Sequence, residues 1–542
     1  MNLKDHLQSN LSKAVDLAGF SPDFIQITPS KDHRYGDWSS SVPLSLAKTA
    51  KLPPMVIAGK IIDHYEKDDA FIREVFSSPP GFINFNIHSS YYQSLVLEII
   101  KKQDDFGKAH VGENKTANIE FVSANPTGPL TVGHGRQAVL GDTVANILEW
   151  HGFKVTREYY FNNAGRQMRL LAESVEARYR ELTGENVPFP EDGYQGIYIK
   201  EIATGILKIY GAKLEKGHDF FRQVAEDFIF NDIKLSLKDL GVIHDQFSNE
   251  KMFYETGAID KTVVDLENKG LVYRYEGATW FKTTALGMDQ DRVLIKSSGE
   301  PTYRLPDIAY HINKVERKFD LIIDIFGSDH VDTYPDVLAA LKVLGYNTDH
   351  FKVLIHQFVT LLRNGQRVKM STRKADFVTL KELIDDVGVD VVRYFFIMRS
   401  MNSHLNFDLD LAADQSEKNP VFYLQYAHAR ICNIIKHGES LDLIPKQHFD
   451  LSILDHNAEL DLMKISGQFP EIMNIALETL EPQGVANYLQ TLATKFHKFY
   501  SECRVITEDE EMTAARIALI NSVRIILSNG LKVLGVSAPE RM

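Results

Sequence analysis

Residues 118–152 restrict the fold more than any other stretch. An apolar run, Ile119-Glu120-Phe121-Val122-Ser123, leads into Pro126-Thr127-Gly128-Pro129-Leu130-Thr131-Val132-Gly133-His134-Gly135-Arg136. Beyond it, Ala138, Val144, Ile147 and Leu148 recur near the helical repeat until Gly152. A strand, a tight Pro/Gly loop and a helix in that order predict a junction that aims free backbone N–H groups at whatever lies above the loop. The positive end of the helix dipole points the same way. Gly133 lets a ligand approach the backbone, and His134 adds a donor at the helix start. A nucleotide phosphate is the natural guest.

The chain has 542 residues, too many for one core, so several domains are expected. Residues 1–110 read as a small α/β unit, with helical patterns at 44–51 and 55–65 and a strand in Phe82-Ile83-Asn84-Phe85-Asn86-Ile87. From residue 111 to about 345 strands alternate with helices. This predicts an α/β domain, a Rossmann-like doubly wound parallel sheet, with an insertion around 180–295. Pro306 fits the first turn of a helix, and 353–362 reads as one strand meeting the turn residues Asn364-Gly365. Residues 346–405 link this region to an all-α domain at 406–542, where Asn419-Pro420 opens a helix. No stretch is apolar enough to span a bilayer, and residues 1–6 lack a secretion-signal pattern. Two cysteines, Cys432 and Cys503, argue against a disulfide framework, so a cytoplasmic protein with no membrane partner is expected. The net charge of −13 has the wrong sign for coating nucleic acid indiscriminately, but leaves room for local basic faces.

A second anchor lies far downstream, in Val368-Lys369-Met370-Ser371-Thr372-Arg373-Lys374. Cations on a loop near a phosphate site neutralise charge that develops during nucleotidyl transfer. Either motif alone is weak evidence. Together, in this order, separated by a β/α region and followed by helices, they are strong.

These residues, with Ser123-Ala124-Asn125, Gly299-Glu300-Pro301-Thr302-Tyr303, Asp307-Ile308-Ala309-Tyr310-His311, Asn419-Pro420-Val421-Phe422-Tyr423 and the ending Ala538-Pro539-Glu540-Arg541-Met542, resemble the class I aminoacyl-tRNA synthetases, specifically arginyl-tRNA synthetases. The likeness spans nearly the whole chain. It implies ATP, Mg2+, L-arginine and tRNA(Arg) as ligands, and an arginine-tRNA ligase; a monomer is expected, although the sequence itself does not reveal the oligomeric state. The chain departs from the family pattern at both signatures. Thr131 stands where the first signature usually has its first histidine, and Thr372 where the second usually has its last lysine.

The reaction expected has two steps: attack of the arginine carboxylate on the α-phosphorus of ATP, then transfer of the arginyl group to a terminal ribose hydroxyl of tRNA. It needs positioning and charge neutralisation more than covalent catalysis. His134 and Lys369 are the expected catalytic residues. Gly133, His134, Arg136, Lys369 and Ser371 are assigned to ATP, and no residue is assigned to metal. A guanidinium is planar with five donors and needs carboxylate acceptors, for which Asp307 is the choice. By resemblance, Tyr303 and Asp307 fall on the arginine-binding pair, and Ser123 and Asn125 on amino-acid contacts. Asp329 and His330, ending a strand, are weaker candidates. Absent the resemblance, a first-turn acid such as Asp307 reads as a helix-dipole residue. Tyr303 and Asp307 are spaced i, i+4, although the intervening Pro306 argues against one continuous helix. Tyr426 and Arg430, one helical turn apart, are expected to contact tRNA, and the helical domain by resemblance reads the anticodon. The alternative is a tRNA-binding paralogue with impaired catalysis, favoured only by the two threonines.

Overall fold

In the computed structural model the described residues are 3–22, 24–30, 33–163, 165–212, 214, 217–368, 378–441, 443 and 450–542. They form two compact units. The first joins residues 1–103 to 434–467 and 495–525. Its sheet is antiparallel, in the order Thr28–Pro29, Trp38–Ser40, Phe82–Ile87, Ile72–Ser78. Gly36, at φ 73°, starts the Trp38 strand, and a Cβ there would lie 2.7 Å from the Phe85 carbonyl oxygen. Asp37 then accepts from the Ile87 N–H and pairs with Lys464 at 2.6 Å.

The second unit comprises residues 104–433, 468–494 and 526–542. Its centre is a five-stranded sheet of β1 (Thr116–Glu120), β2 (Lys154–Phe161), β3 (Gln246–Asn249), β4 (Leu321–Gly327) and β5 (Phe351–His356). All neighbours are parallel and the order is β5-β4-β1-β2-β3. This is the doubly wound arrangement expected, because apolar residues such as Ile119, Ile322, Ile323 and Ile325 fill β1 and β4 and must be covered on both faces. The strand order reverses between β1 and β4, so ligands are expected outside their carboxyl ends. Helix α1 (Val132–Trp150) follows β1 and helix α2 (Arg304–Glu316) precedes β4.

Four local expectations change. The apolar run after residue 118 does not continue as strand: β1 stops at Glu120, and Val122 and Ser123 take left-handed φ values of 70° and 43°. Residues 246–249, inside the expected insertion, form the edge strand β3, whose polar sequence carries no apolar alternation. The single strand expected at 353–362 is two. β5 ends at His356 and a new strand, Val359–Arg363, pairs with Leu405–Asp408 in a separate sheet. Finally, Pro306 does not interrupt the turn before it. A proline in the first turn gives up no helical N–H partner, and Asp307 N–H donates to the Tyr303 carbonyl at 3.2 Å.

The C-terminal residues are helical as expected, from Pro420–Ser440 through Glu510–Leu534. Asn419 caps the first of these, its Oδ1 accepting from the Val421 N–H at 3.0 Å. Glu510–Leu534 is long and apolar enough to cross a bilayer by composition, but 78% of its apolar window is buried within the fold.

Candidate active site

A cavity of about 730 Å³ opens at the carboxyl ends of β1 and β4, lined from α1, α2, β2 and β5 as well. Its floor is electrostatic. Register places Asp324, Glu120 and Glu158 side by side across β4, β1 and β2. Three acids in a row on neighbouring strands require cations, which α2 supplies. Lys314, fully buried, donates to Glu120 and to Asp324, and Arg317 donates to Glu158 at 2.7 Å. The two carboxylates hold the Lys314 ammonium above its usual range against the opposing effect of burial.

His311 continues the network. Its Nδ1 lies 2.7 Å from the Asp307 carbonyl oxygen and its Nε2 3.1 Å from the Asp324 carboxylate. Both ring nitrogens face acceptors, an arrangement that favours the doubly protonated ring. Burial and Lys314 push its pKa down, but Asp324 and Glu120 prevail and raise it. Glu120, His311 and Asp324 present ligand atoms within 4.8 Å of one another, a set that could hold a metal ion, but the Lys314 ammonium already bonds two of them.

Two carboxylates of the cavity remain without a cationic partner among the described residues. Glu250 accepts only from the hydroxyls of Tyr160 (3.2 Å) and Tyr254 (3.3 Å). Asp307, on the first turn of α2, is pushed up from 3.8 to about 7 by burial, with Glu120 and Glu250 adding to the shift and His311 and Lys314 opposing it. An acid held this far from its ordinary value in a cleft is poised for a cation. Above it Tyr160 stacks on Tyr310 with ring centroids 4.2 Å apart.

The other side of the cavity is the start of α1. The Thr131 N–H donates to His134 Nδ1 at 3.2 Å, so the neutral ring carries its proton on Nε2. Burial holds the ring neutral, with its pKa lowered to about 4. Gly133 leaves the helix start open: an added Cβ would meet only Thr131 Oγ1, at 3.6 Å. A neutral donor and unpaired N–H groups at a helix N-terminus suit an anion.

The structure brings Ser123, Asn125, Gly133, His134, Tyr303, Asp307, Asp329 and His330 to this one cavity. Tyr303 is 69% exposed at its rim. Ser123 Oγ donates to Glu120 at 2.8 Å and accepts from Tyr160 N–H, and Asn125 bonds Asn162 and Gln167, so both shape the wall through internal bonds. Arg136 is not among the lining residues. It is fully buried behind α1 and its guanidinium is engaged by three main-chain carbonyls, which corrects its assignment to ATP. Lys369 and Ser371 lie outside the described residues. Tyr426 and Arg430 share one face of Pro420–Ser440, the guanidinium 4.4 Å over the phenol ring. Sequence reasoning did not single out Glu120, Glu250, His311, Asp324 or Lys314. For Glu120 and Asp324 the signal was an acid at the same register of neighbouring strands, readable only once the strand order is known.

Comparison with known proteins finds likeness along the entire chain. Models of the arginyl tRNA synthetase N terminal domain, the class I (R) tRNA synthetase catalytic domain and the DALR anticodon binding domain match residues 1–87, 96–403 and 424–542. The arginine–tRNA ligase of Salinibacter ruber is 46% identical over 563 residues, covering 100% of both chains. That of Chlorobium phaeobacteroides is 48% identical over 552 residues, covering 100% of this chain and 99% of its own. The solved arginyl-tRNA synthetase of Thermus thermophilus, 22% identical, shares the fold with a TM-score of 0.79 over 100% of both chains. Likeness that runs from one end of the chain to the other, at this level of identity, leaves one assignment: the protein belongs to the arginyl-tRNA synthetase family.

Proposed function

We propose that the chain is an arginine–tRNA ligase whose cavity holds ATP at the start of α1 and L-arginine over Asp307. The observation that carries this reading is the pair of uncompensated acids, Asp307 and Glu250, in a cavity that also ends at an open helix N-terminus. A guanidinium seated on Asp307 supplies the missing positive charge. The arginine carboxylate attacks the α-phosphorus of ATP, the bond to the bridging oxygen breaks, and pyrophosphate leaves. A ribose hydroxyl at the 3′ end of tRNA(Arg) then attacks the carbonyl carbon of arginyl-adenylate, losing its proton as AMP departs. His134 donates from Nε2 to phosphate oxygens as negative charge shifts onto them, and Lys369 and Ser371 of the second signature serve the leaving pyrophosphate. Ser123, Asn125, Tyr303 and His330 frame the amino acid.

Among the described residues, the chain's own ligand set does not offer Mg2+ a free site. Its best trio, Glu120, His311 and Asp324, is closed by Lys314, and magnesium is expected to enter on the triphosphate. Tyr426 and Arg430, a cation stacked on an aromatic ring, suit an unpaired base and a phosphate of tRNA. The protein is proposed to work as a cytoplasmic monomer, which sedimentation of the purified chain checks. The deciding experiment is aminoacylation by the purified protein beside Asp307→Asn. Loss of arginine charging with circular dichroism unchanged supports the arginine seat, whereas undiminished charging by the variant refutes it.

A further inference from the structure

Arg136 is a fully buried guanidinium with no carboxylate bonded to it among the described residues. It stands two residues after His134 on α1, and its donors reach three separate carbonyls. Nη1 donates to Gln357 O at 2.6 Å and Ser403 O at 3.1 Å, and Nη2 to Ser400 O at 3.0 Å. Burial lowers its pKa to about 10, with Glu481 acting against the shift, so the group is charged at neutral pH. Burying such a cation is expensive, and main-chain carbonyls are weaker partners than carboxylates. A fold that needed only bulk here would be served by an apolar side chain.

The three carbonyls belong to two segments that meet at the break between β5 and the Val359–Arg363 strand. Gln357 N–H donates to Met401 O at 3.0 Å, and Leu405 N–H to Phe358 O at 3.2 Å. The 400–403 turn is gripped from its other side. Ser400 Oγ donates to Glu481 at 3.1 Å and Met401 N–H to the same carboxylate at 3.4 Å. Arg136 and Glu481 therefore close on one turn from two directions, and the Gln357 peptide is fastened to both the turn and α1. On either side of Gln357, His356, Phe358 and Val359 line the cavity together with His134, and Phe358 is 62% exposed there.

We propose that Arg136 is a positioning residue for the nucleotide half of the site: it fixes the 356–359 wall at a set distance from the first signature helix, and Glu481 completes the clamp. The inference rests on ATP occupying the cavity beside His134. Arginine's seat, built from β1, β2, β4 and α2, shares none of these bonds. A displacement near 1 Å in a positioning element costs a rate on the order of 100-fold. Loosening the clamp therefore degrades the use of ATP and spares the binding of arginine.

The test is ATP–pyrophosphate exchange with arginine and tRNA(Arg) present, alongside equilibrium dialysis of labelled arginine, for Arg136→Gln, Arg136→Lys and Glu481→Ala. For Arg136→Gln the expected result is a fall of about 100-fold in kcat/KM for ATP with the arginine Kd within about twofold of the parent. Arg136→Lys, which keeps the charge but not the fork, should recover about tenfold of that loss. If Arg136→Gln does not fold, Glu481→Ala carries the test, with a loss of about tenfold for ATP and none for arginine. Unchanged ATP kinetics in the folded variants, or equal losses for ATP and arginine, overturn the proposal. His134→Ala separates the two ideas: if it leaves ATP kinetics untouched, the location of ATP is wrong, whatever the clamp does.

Discussion

With arginine seated on Asp307 as proposed, the raised pKa of that carboxyl predicts that binding releases protons. In the free protein the carboxyl titrates at about 7, because burial and the neighbouring Glu120 and Glu250 disfavour its charge more than His311 and Lys314 favour it. A guanidinium binds the carboxylate and pulls the pKa of Asp307 down, so a proton must leave whenever the free carboxyl is protonated. From a pKa of about 7, roughly 9% is ionised at pH 6 and roughly 91% at pH 8, so arginine affinity should rise about tenfold over that interval. Calorimetry at pH 7 in two buffers of different ionisation enthalpy should return a release of about half a proton per arginine bound. Citrulline, with an uncharged urea in place of the guanidinium, should show no such gain, and Asp307→Asn should abolish both the slope and the released proton. An arginine Kd flat from pH 6 to 8 with no buffer dependence would refute the reasoning. The same shift bears on folding with the opposite sign to an ordinary salt-bridged acid. Below pH 3.8 both states are protonated, between 3.8 and 7 only the native state is, and stability from this group is lost as pH rises through 7.

Two further outcomes follow from the packing. Lys314→Met leaves Glu120 and Asp324 buried without their ammonium and should cost about 3–5 kcal/mol in urea unfolding, with Glu120→Gln added to it returning part of the loss. Gly535→Ala should destabilise by about 1–3 kcal/mol in the same assay, because φ is 68° there and a Cβ would lie 2.1 Å from the guanidinium of Arg393, which is buried against Asp142 and the Leu240 and Leu534 carbonyls.

What the sequence shows and what it hides divides by range of interaction. The strand–loop–helix at 116–150 is legible because its turn chemistry and periodicity are local, and His134 is legible because its place at the third helical position is set by Thr131 alone. Asp307 is visible as a first-turn acid, but its raised pKa is not: that comes from burial in the folded cavity, with further contributions from Glu120 of β1 and from Glu250. The row Asp324, Glu120, Glu158 is spread over more than two hundred residues and exists only in the register of three parallel strands. Arg136 was misread for a related reason. A cation two residues beyond a phosphate-binding histidine looks like a second phosphate ligand, yet two helical residues turn through about 200° and point it to the opposite side. The break after β5 is likewise invisible in the apolar string Val353-Leu354-Ile355, since the Gln357 carbonyl accepts from the Arg136 guanidinium and the Gln357 N–H donates to the Met401 carbonyl.

The ammonium of Lys314 is covalently part of α2, so the deep acids of β1 and β4 own a counter-ion that can neither diffuse away nor be exchanged. Surface charges would gather whatever ions the medium holds and lose their mutual attraction over about 8–10 Å in physiological salt. Here the ammonium bonds both carboxylates directly, inside the fold. The electric balance at the floor of the cavity is thus set at synthesis and stays the same in a dilute buffer and in concentrated salt.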